Sequence, residues 1–243
     1  MKFYDELSKV YDIVFKKDEG TVRFLNNKLK QGSKVLDLAC GTGTYSIELA
    51  KEGHNVAGMD LDSEMIKLAN IKSEVLNTRF LEGDMRKAKD VFKDESFNMI
   101  FCIGNSLVHL QDKTDIKKLI GDIYNMLEDD GAMIIQIINF DRIIKNNITS
   151  LPTIDRKDEG VKFVRNYRHS EDKSIIYFDT ELILLEDGNE DIYRNSVPLL
   201  PLQSGELVDM AREAGFKDII INGEFSEKSF DENSYALVLS ANK

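Results

Sequence analysis

A chain of 243 residues, 42% apolar and 31% charged, has ordinary globular composition and is long enough for one sizeable core plus a small appended unit. Its net charge of −11 argues against a non-specific nucleic-acid or anionic-membrane surface. Met1-Lys2-Phe3-Tyr4-Asp5-Glu6 is not a signal peptide, no apolar run approaches membrane-spanning length, and Cys40 and Cys102 have no metal-ligand spacing, so a cytoplasmic protein with reduced thiols and no metal is expected.

Residues 1–30 read as helical, because Phe3, Leu7, Val10, Tyr11 and Val14, then Val22, Phe24, Leu25 and Leu29, recur at helical intervals. A polar break, Lys16-Lys17-Asp18-Glu19-Gly20, separates the two sets. A buried strand over 34–39 follows, then a helix from about Thr44 to Lys51, closed by Gly53. Residues 55–60 read as a second strand. Asp62-Ser63 then caps a helix with Met65, Ile66, Leu68, Ala69 and Val75 as its apolar positions. Strands three and four are expected at 79–84 and 97–103. Ile116, Leu119, Ile120, Ile123 and Leu127 mark one face of the next helix. Gly131 leads into strand five, 132–138. Alternating β and α elements, with strands apolar on both faces, predict a parallel sheet covered by helices on both sides.

The pattern changes at 140–153, a mostly polar linker with Pro152 near its end. Three alternating segments follow, at 161–168, 175–185 and 192–198. In the middle one Ile176, Phe178, Thr180, Leu182 and Leu184 share a face. Asp187-Gly188 is a hairpin signal. These segments predict an antiparallel flap of about three strands inserted after strand five. Ser204 then caps a helix (Leu207, Val208, Ala211, Ala214) that stops at Gly215, and 217–223 and 235–240 form a closing strand pair.

The chemistry is expected beyond the carboxyl ends of the strands, at the switch point of the sheet. Val35-Leu36-Asp37-Leu38-Ala39-Cys40-Gly41-Thr42-Gly43-Thr44 is a strand–Gly-x-Gly–helix unit, the usual cradle for a nucleotide-like cofactor. Asp37, inside the strand end, needs hydrogen bonds, for which main-chain N–H groups of the next loop are the expected donors. It either pins the turn, serves the ligand, or does both. Asp60, at the end of strand two, is placed for two ribose hydroxyls or for a plain helix cap. Gly83-Asp84-Met85 offers a carboxylate for an adenine amine and a thioether for a flat ring; alone it reads as a turn. After strand four, Ile103-Gly104-Asn105-Ser106-Leu107-Val108-His109 sets carbonyls and polar side chains near the presumed cleft, with His109 alone equally readable as a packing residue. The short run Arg86, Lys87, Lys89 reads as a solvated loop.

This ordered set resembles the class I S-adenosylmethionine-dependent methyltransferases. Asp37-x-Ala39-x-Gly41-x-Gly43 is similar to that family's first motif, with Ala39 in place of the first glycine. Asp60, Gly83-Asp84-Met85 and Ile103-Gly104-Asn105 fall where its later motifs stand. The resemblance implies a Rossmann-like α/β fold with a seven-stranded sheet, mostly parallel with the last strand antiparallel, helices on both faces, and the β flap inserted after strand five. Residues 1–139 and 202–243 would form the S-adenosylmethionine-binding domain with an N-terminal helical cap, and 140–201 a lid on the substrate side. Tyr11, Asp37, Ala39, Gly41, Gly43, Asp60, Leu61, Met65, Asp84, Met85, Ile103 and Gly104 would hold the cofactor, S-adenosyl-L-methionine, which leaves as S-adenosyl-L-homocysteine.

A narrower likeness joins 104–110, Ile138-Asn139-Phe140-Asp141 and Tyr193-Arg194 to the glycine and sarcosine N-methyltransferases. It implies a small amine or amino-acid-like acceptor bound by Asn105, His109, Asn139 and Arg194, the last two anchoring its carboxylate. Tyr4 and Tyr11 resemble the N-terminal tyrosines that close over the cofactor in such enzymes, with core packing the competing role. Tyr11, Asn105 and His109 are positioning candidates for in-line methyl transfer, in which the protein chiefly aligns the reactants and excludes water. Two other readings stay open: a non-catalytic S-adenosylmethionine-binding protein, and a nicotinamide-dependent dehydrogenase. The latter departs from its fingerprint where Ser46 replaces the third glycine. Neither a nucleic-acid nor a membrane partner is expected.

Overall fold

The computed structural model describes residues 2–186 and 189–243. Two helices open the chain, α1 (Lys2–Val14) and α2 (Glu19–Asn26); between them Asp18 caps α2 by accepting the Thr21 N–H at 2.6 Å. The alternating part follows as β1 (Lys34–Leu38), α3 (Thr44–Lys51), β2 (Asn55–Asp60), α4 (Ser63–Lys72), β3 (Thr78–Glu82), α5 (Ala88–Val91), β4 (Phe97–Cys102), α6 (Lys113–Met126) and β5 (Leu127–Ile138). Then come α7 (Phe140–Lys145), the four strands β6 (Ser150–Arg156), β7 (Val161–His169), β8 (Ile176–Glu186) and β9 (Asn189–Leu199), and finally α8 (Ser204–Ala214), β10 (Lys217–Asn222) and β11 (Ala236–Asn242).

The seven-stranded sheet expected from the sequence forms in the order β10-β11-β5-β4-β1-β2-β3. Strands β1 to β5 pair in parallel, and β11 runs antiparallel to both β5 and β10. Both faces are buried. Leu36, Leu38, Met59 and Ile100 face one layer of helices, while Val35, Met99, Phe101 and Val238 face the other. From β1 the chain winds outward to β2 and β3, then crosses back to β4 on the other side. The strand ends of β1 and β4 therefore diverge, which opens a crevice at their carboxyl ends.

The insert differs from expectation. Residues 140–153 are not a linker but α7 and β6, so the flap has four strands, ordered β6-β7-β8-β9. At six residues α7 is too short to display a helical period; Asn139 caps it, and Phe140 and Ile143 bury its inner side. Strand β6 tolerates Pro152 because it is an edge strand whose register slips between Leu151 and Ile154. The Asp187-Gly188 hairpin lies outside the described residues, although β8 and β9 pair down to Glu186 and Asn189. Two smaller corrections concern helices. Val75 lies beyond α4 and is 94% exposed, and α8 is capped by Gln203 rather than Ser204, in a capping box with Glu206.

The flap sheet packs on α1, where Phe3, Leu7 and Val14 bury Val161, Phe163 and Leu182. It is joined to the larger core through Tyr167, Ile176 and Leu199, and the Leu200 N–H donates to the Val108 carbonyl at 2.9 Å. Helix α1 is thus a layer between the flap and the cleft. Among the described residues no helix is long and apolar enough to cross a membrane.

Candidate active site

The glycine turn after β1 is built from left-handed backbone. Ala39, Gly41 and Gly43 have φ of 60°, 54° and 73°. Ala39 holds with a side chain a conformation that glycine adopts more easily. The two glycines have separate reasons. A Cβ on Gly43 would come within 2.7 Å of Phe80 Cζ, so Gly43 lets α3 start against the core. A Cβ on Gly41 would touch the Tyr11 ring at 3.4 Å, because Tyr11 lies from α1 across the turn. Burial, followed by nearby Asp60, Asp12 and Asp37, pushes the Tyr11 phenol far above its ordinary value, so it stays protonated.

Asp37 does not bind the loop amides as expected. It is buried, and its Oδ2 accepts the hydroxyl of Ser46 at 2.6 Å from the first turns of α3. Burial lifts its carboxyl well above the usual range, with Ser46 opposing the shift and Asp60 adding to it. Asp60 holds the loop instead. Its Oδ2 accepts the Gly41 N–H at 2.8 Å and its Oδ1 the Asp62 N–H at 3.0 Å. Each oxygen keeps a further lone pair, and the residue faces the cleft. Burial also raises its carboxyl, against the amide hydrogen bonds.

The cleft has a volume of about 780 Å³. Among the predicted site residues, Tyr4, Tyr11, Ala39, Gly41, Asp60, Leu61, Met65, Asp84, Met85 and His109 line it together. Leu61 is 73% exposed there, a large apolar side chain left uncovered at the mouth. Asp84 is engaged by Arg86, whose Nε donates to both carboxylate oxygens at 2.9 and 3.1 Å, while Arg86 Nη1 reaches Asp115 at 3.1 Å. Arg86, Lys87 and Lys89 are solvent-exposed, as expected, and two of them are ion-paired: Arg86 bridges two aspartates and Lys89 meets Asp122 at 3.3 Å. His109 opens into the cleft amid enough protein that desolvation holds its imidazole below its ordinary value.

The structure does not bring the other predicted residues to the cleft wall. Asp37 and Gly43 stand behind the turn. Ile103 is buried, the Gly104 N–H donates to Gln136 Oε1 at 2.7 Å, and Asn105 Oδ1 accepts the Ile138 N–H at 3.0 Å, tying β4 to β5. Asn139 is 1% exposed, caps α7 and donates to the carbonyls of Ser234 and Asp231. Arg194 is on the outer face of the flap, where its Nε donates to Glu181 Oε1 at 2.7 Å. Strand parity is the reason: along β9, Tyr193, Asn195 and Val197 turn inward, and Arg194 and Ser196 turn out.

The same parity sets a charged residue, Arg165, on the inner face of the flap, although like Asn139 and Arg194 it does not line the cleft. On β7, Val161, Phe163 and Tyr167 face inward, and Arg165 shares their side. The register sets Arg165 opposite Thr180 and Thr180 opposite Asn195, a polar row crossing an apolar face. Asn195 Nδ2 donates to the hydroxyl of Tyr4, which lines the cleft. Arg165 Nη2 donates to the Pro152 carbonyl at 2.5 Å, but its Nε is buried without a partner. Among the described residues no carboxylate pairs with it, and burial pulls its guanidinium below its ordinary value. A charged residue inside an otherwise apolar alternation was the available signal.

These residues fit an adenosine-bearing sulfonium. Asp60 offers acceptors for a ribose diol, Leu61, Met65 and Met85 offer soft apolar contact, and Gly41 leaves the main chain open. Asp60, Asp62, Asp84, Asp112 and Asp115 face the cleft against one arginine, an electrostatic lining suited to a cation and adverse to a pyrophosphate.

Comparison with known proteins points the same way. The family model described as a methyltransferase domain matches residues 35–131. Over 209 residues the chain is 30% identical to the glycine/sarcosine N-methyltransferase of Aphanothece halophytica, covering 84% of this chain and 74% of that protein. It superposes on an S-adenosylmethionine-dependent methyltransferase from Clostridium acetobutylicum with a TM-score of 0.81 at 18% identity, covering 98% of each chain. The amino pentose methyltransferase of Micromonospora echinaspora, solved with S-adenosylmethionine bound, gives 0.73 at 16% identity, covering 96% of this chain and 97% of that one.

Proposed function

This chain belongs to the class I S-adenosylmethionine-dependent methyltransferases, and from that premise we propose that it methylates the amino group of a small, amino-acid-like acceptor. The observation that carries the acceptor reading is Arg165, a guanidinium inside the flap with a buried Nε and no carboxylate partner among the described residues. A half-buried guanidinium whose Nε is enclosed without a partner is costly to keep, and a carboxylate supplied by the acceptor would satisfy it through two hydrogen bonds. The likeness to a glycine/sarcosine N-methyltransferase supports the same chemistry.

In this reading Asp60, Tyr11, Gly41, Leu61, Met65, Asp84 and Met85 hold the cofactor. Ala39 shapes the turn. The insert over 140–201 serves as the substrate-side lid, with Arg165, Thr180 and Asn195 as the polar row of its inner face, linked to the cleft through the Asn195–Tyr4 hydrogen bond. Bound S-adenosylmethionine supplies a methyl group already activated on a sulfonium. The chain's own residues do the rest. Tyr4 and Tyr11 roof the cleft and exclude water, Arg165 orients the acceptor by its carboxylate, and neutral His109 takes up the proton that an ammonium acceptor must shed. Asp84 can meet an adenine amine only when Arg86 shifts its pairing toward Asp115.

The test is release of S-adenosylhomocysteine over a panel of small amines, each run beside its decarboxylated counterpart. Turnover confined to the carboxylate-bearing members is expected. Equal turnover of both members of each pair would overturn the acceptor assignment. A preference for amino sugars would instead point to the acidic rim of Asp112 and Asp115 as the selecting feature.

A further inference from the structure

One carboxylate outside the cleft joins three elements around it. Asp12, on α1, accepts the Thr42 hydroxyl at 2.6 Å and the Thr44 hydroxyl at 3.1 Å through Oδ1, and Lys72 Nζ at 2.7 Å through Oδ2. Lys72, at the end of α4, also donates to Thr42 Oγ1 at 3.1 Å. Thr42 lies between the two glycines of the turn, is 1% exposed, and Thr44 begins α3. Burial pushes the Asp12 carboxyl up, yet Lys72, Thr42 and Thr44 outweigh it and hold the group below its ordinary value. The Asp12–Lys72 ion pair is largely exposed and contributes little by itself, so the bond from the buried Thr42 hydroxyl to the charged carboxylate is the strong member of the hub.

None of these four residues lines the cleft, but their neighbours do. Helix α1 carries Tyr4, Leu7 and Tyr11 over it as a roof, and Tyr11, next to Asp12 in sequence, crosses Gly41. The floor is the glycine turn that holds Thr42. Apolar contacts of α1 with the flap hold the far side of the helix. The hub is the polar fastening of its near side to the floor. We propose that the Asp12–Thr42–Lys72 hub is a positioning device that fastens the roof over the bound cofactor and sets the rate at which S-adenosylmethionine and S-adenosylhomocysteine leave. The inference rests on the cofactor assignment and is independent of the acceptor.

The experiment is a displacement chase of bound S-adenosylhomocysteine without any acceptor, paired with thermal unfolding of the cofactor-free protein. If wild type retains no S-adenosylhomocysteine, the cofactor assignment fails, a result distinct from failure of the hub. Asp12→Ala should speed dissociation roughly tenfold and raise the KM for S-adenosylmethionine by more than it lowers kcat. Thr42→Val should act in the same direction, and the double variant should be no worse than the more damaging single. Asp12→Asn, whose amide oxygen still accepts the Thr42 hydroxyl but which loses the charge that pairs with Lys72, should recover only part of the loss. Dissociation within twofold of wild type in Asp12→Ala, or strictly additive singles, would overturn the proposal and leave Asp12 as a stability residue only. Should Asp12→Ala fail to fold, Thr42→Val and Lys72→Met carry the same comparison.

Discussion

Ser46 donates its hydroxyl to Asp37 Oδ2 at 2.6 Å within the core, where Ser46 is 0% and Asp37 3% exposed. The bond spans the strand-to-helix turn from beneath, joining β1 to α3 under the glycines that bound the cleft. It also explains a departure from the dinucleotide fingerprint. Where that motif needs a third glycine for close helix–strand packing, this chain keeps a hydroxyl that partners the buried carboxyl.

Ser46→Ala should cost about 1–3 kcal/mol, the range for leaving a buried polar group without its partner. The cost should depend on pH. Burial raises the Asp37 carboxyl in the folded state. Its contribution to stability is therefore full below the unfolded value of about 3.9 and is lost as pH rises through the folded value. Losing the Ser46 bond raises the folded value further, so the variant should be hurt more at about pH 8 than at about pH 5. Urea titrations at both pH values check this, and Asp37→Asn should flatten the dependence.

The two glycines of the turn should separate in their phenotypes. Gly43→Ala drives a Cβ to 2.7 Å from Phe80 Cζ at a φ of +73°, so overpacking and backbone strain together should cost about 2–4 kcal/mol. Gly41→Ala carries similar backbone strain at a φ of +54° but meets only the Tyr11 ring at 3.4 Å, so it should cost less stability than Gly43→Ala. It should lose cofactor affinity more than fold stability, as calorimetry and thermal unfolding run on both variants will report.

How much of this could be read beforehand follows from the kind of strand involved. In the parallel sheet, buried strands are apolar on both faces and end in glycine or aspartate, so the positions of Asp60, Gly41 and Asp84 at the cleft could be read from the chain. In the flap, the face a residue takes depends on parity, and one residue of shift exchanges the faces. Ile192 and Tyr193 are both apolar enough to face inward, so the segment alone did not decide whether Arg194 or Asn195 did. The register does, and Arg194 points out. Arg165 was legible in principle, since it shares the parity of Val161, Phe163 and Tyr167. Asn139 follows β5 directly, as expected of a site residue, and in the structure it is buried and caps α7.

Asp60→Ala should weaken S-adenosylmethionine binding by about 10²-fold, equivalent to ~2.7 kcal/mol, by removing charged acceptors and freeing the Gly41 amide. Burial raises the Asp60 carboxyl. If the ribose diol binds the ionised form, affinity should fall as pH drops through that raised value, above the ordinary carboxylate range. Calorimetric titration across pH measures both effects, and the acid limb should vanish in the alanine variant.

Arg165→Leu should raise the acceptor KM by roughly 10–100-fold while leaving cofactor affinity near wild type, the loss expected for a charged hydrogen-bonded anchor. Arg194→Ala, outside on the flap, should alter it by less than about twofold, as exposed ion pairs contribute little. Because the Arg165 guanidinium is half-buried, with its Nε enclosed and no carboxylate partner among the described residues, the leucine variant should also unfold at higher temperature than wild type when ligand-free. Equal effects of both substitutions on the acceptor KM would count against the parity argument.

In the proposed mechanism His109 should set the pH dependence of turnover. Desolvation lowers its imidazole below the ordinary value of about 6.5, because the charged form loses solvation beside the cleft. A neutral His109 accepts a proton over most of the physiological range, so kcat should rise with pH through an apparent value below 6.5 and then level. The sign for stability agrees. A base whose folded value is depressed contributes fully above its unfolded value and loses that contribution as pH falls toward the folded one. His109→Gln keeps a polar side chain of similar reach but cannot titrate. It should lower kcat and abolish the acid limb, whereas a limb that persists unchanged in the glutamine variant would assign the proton to another group.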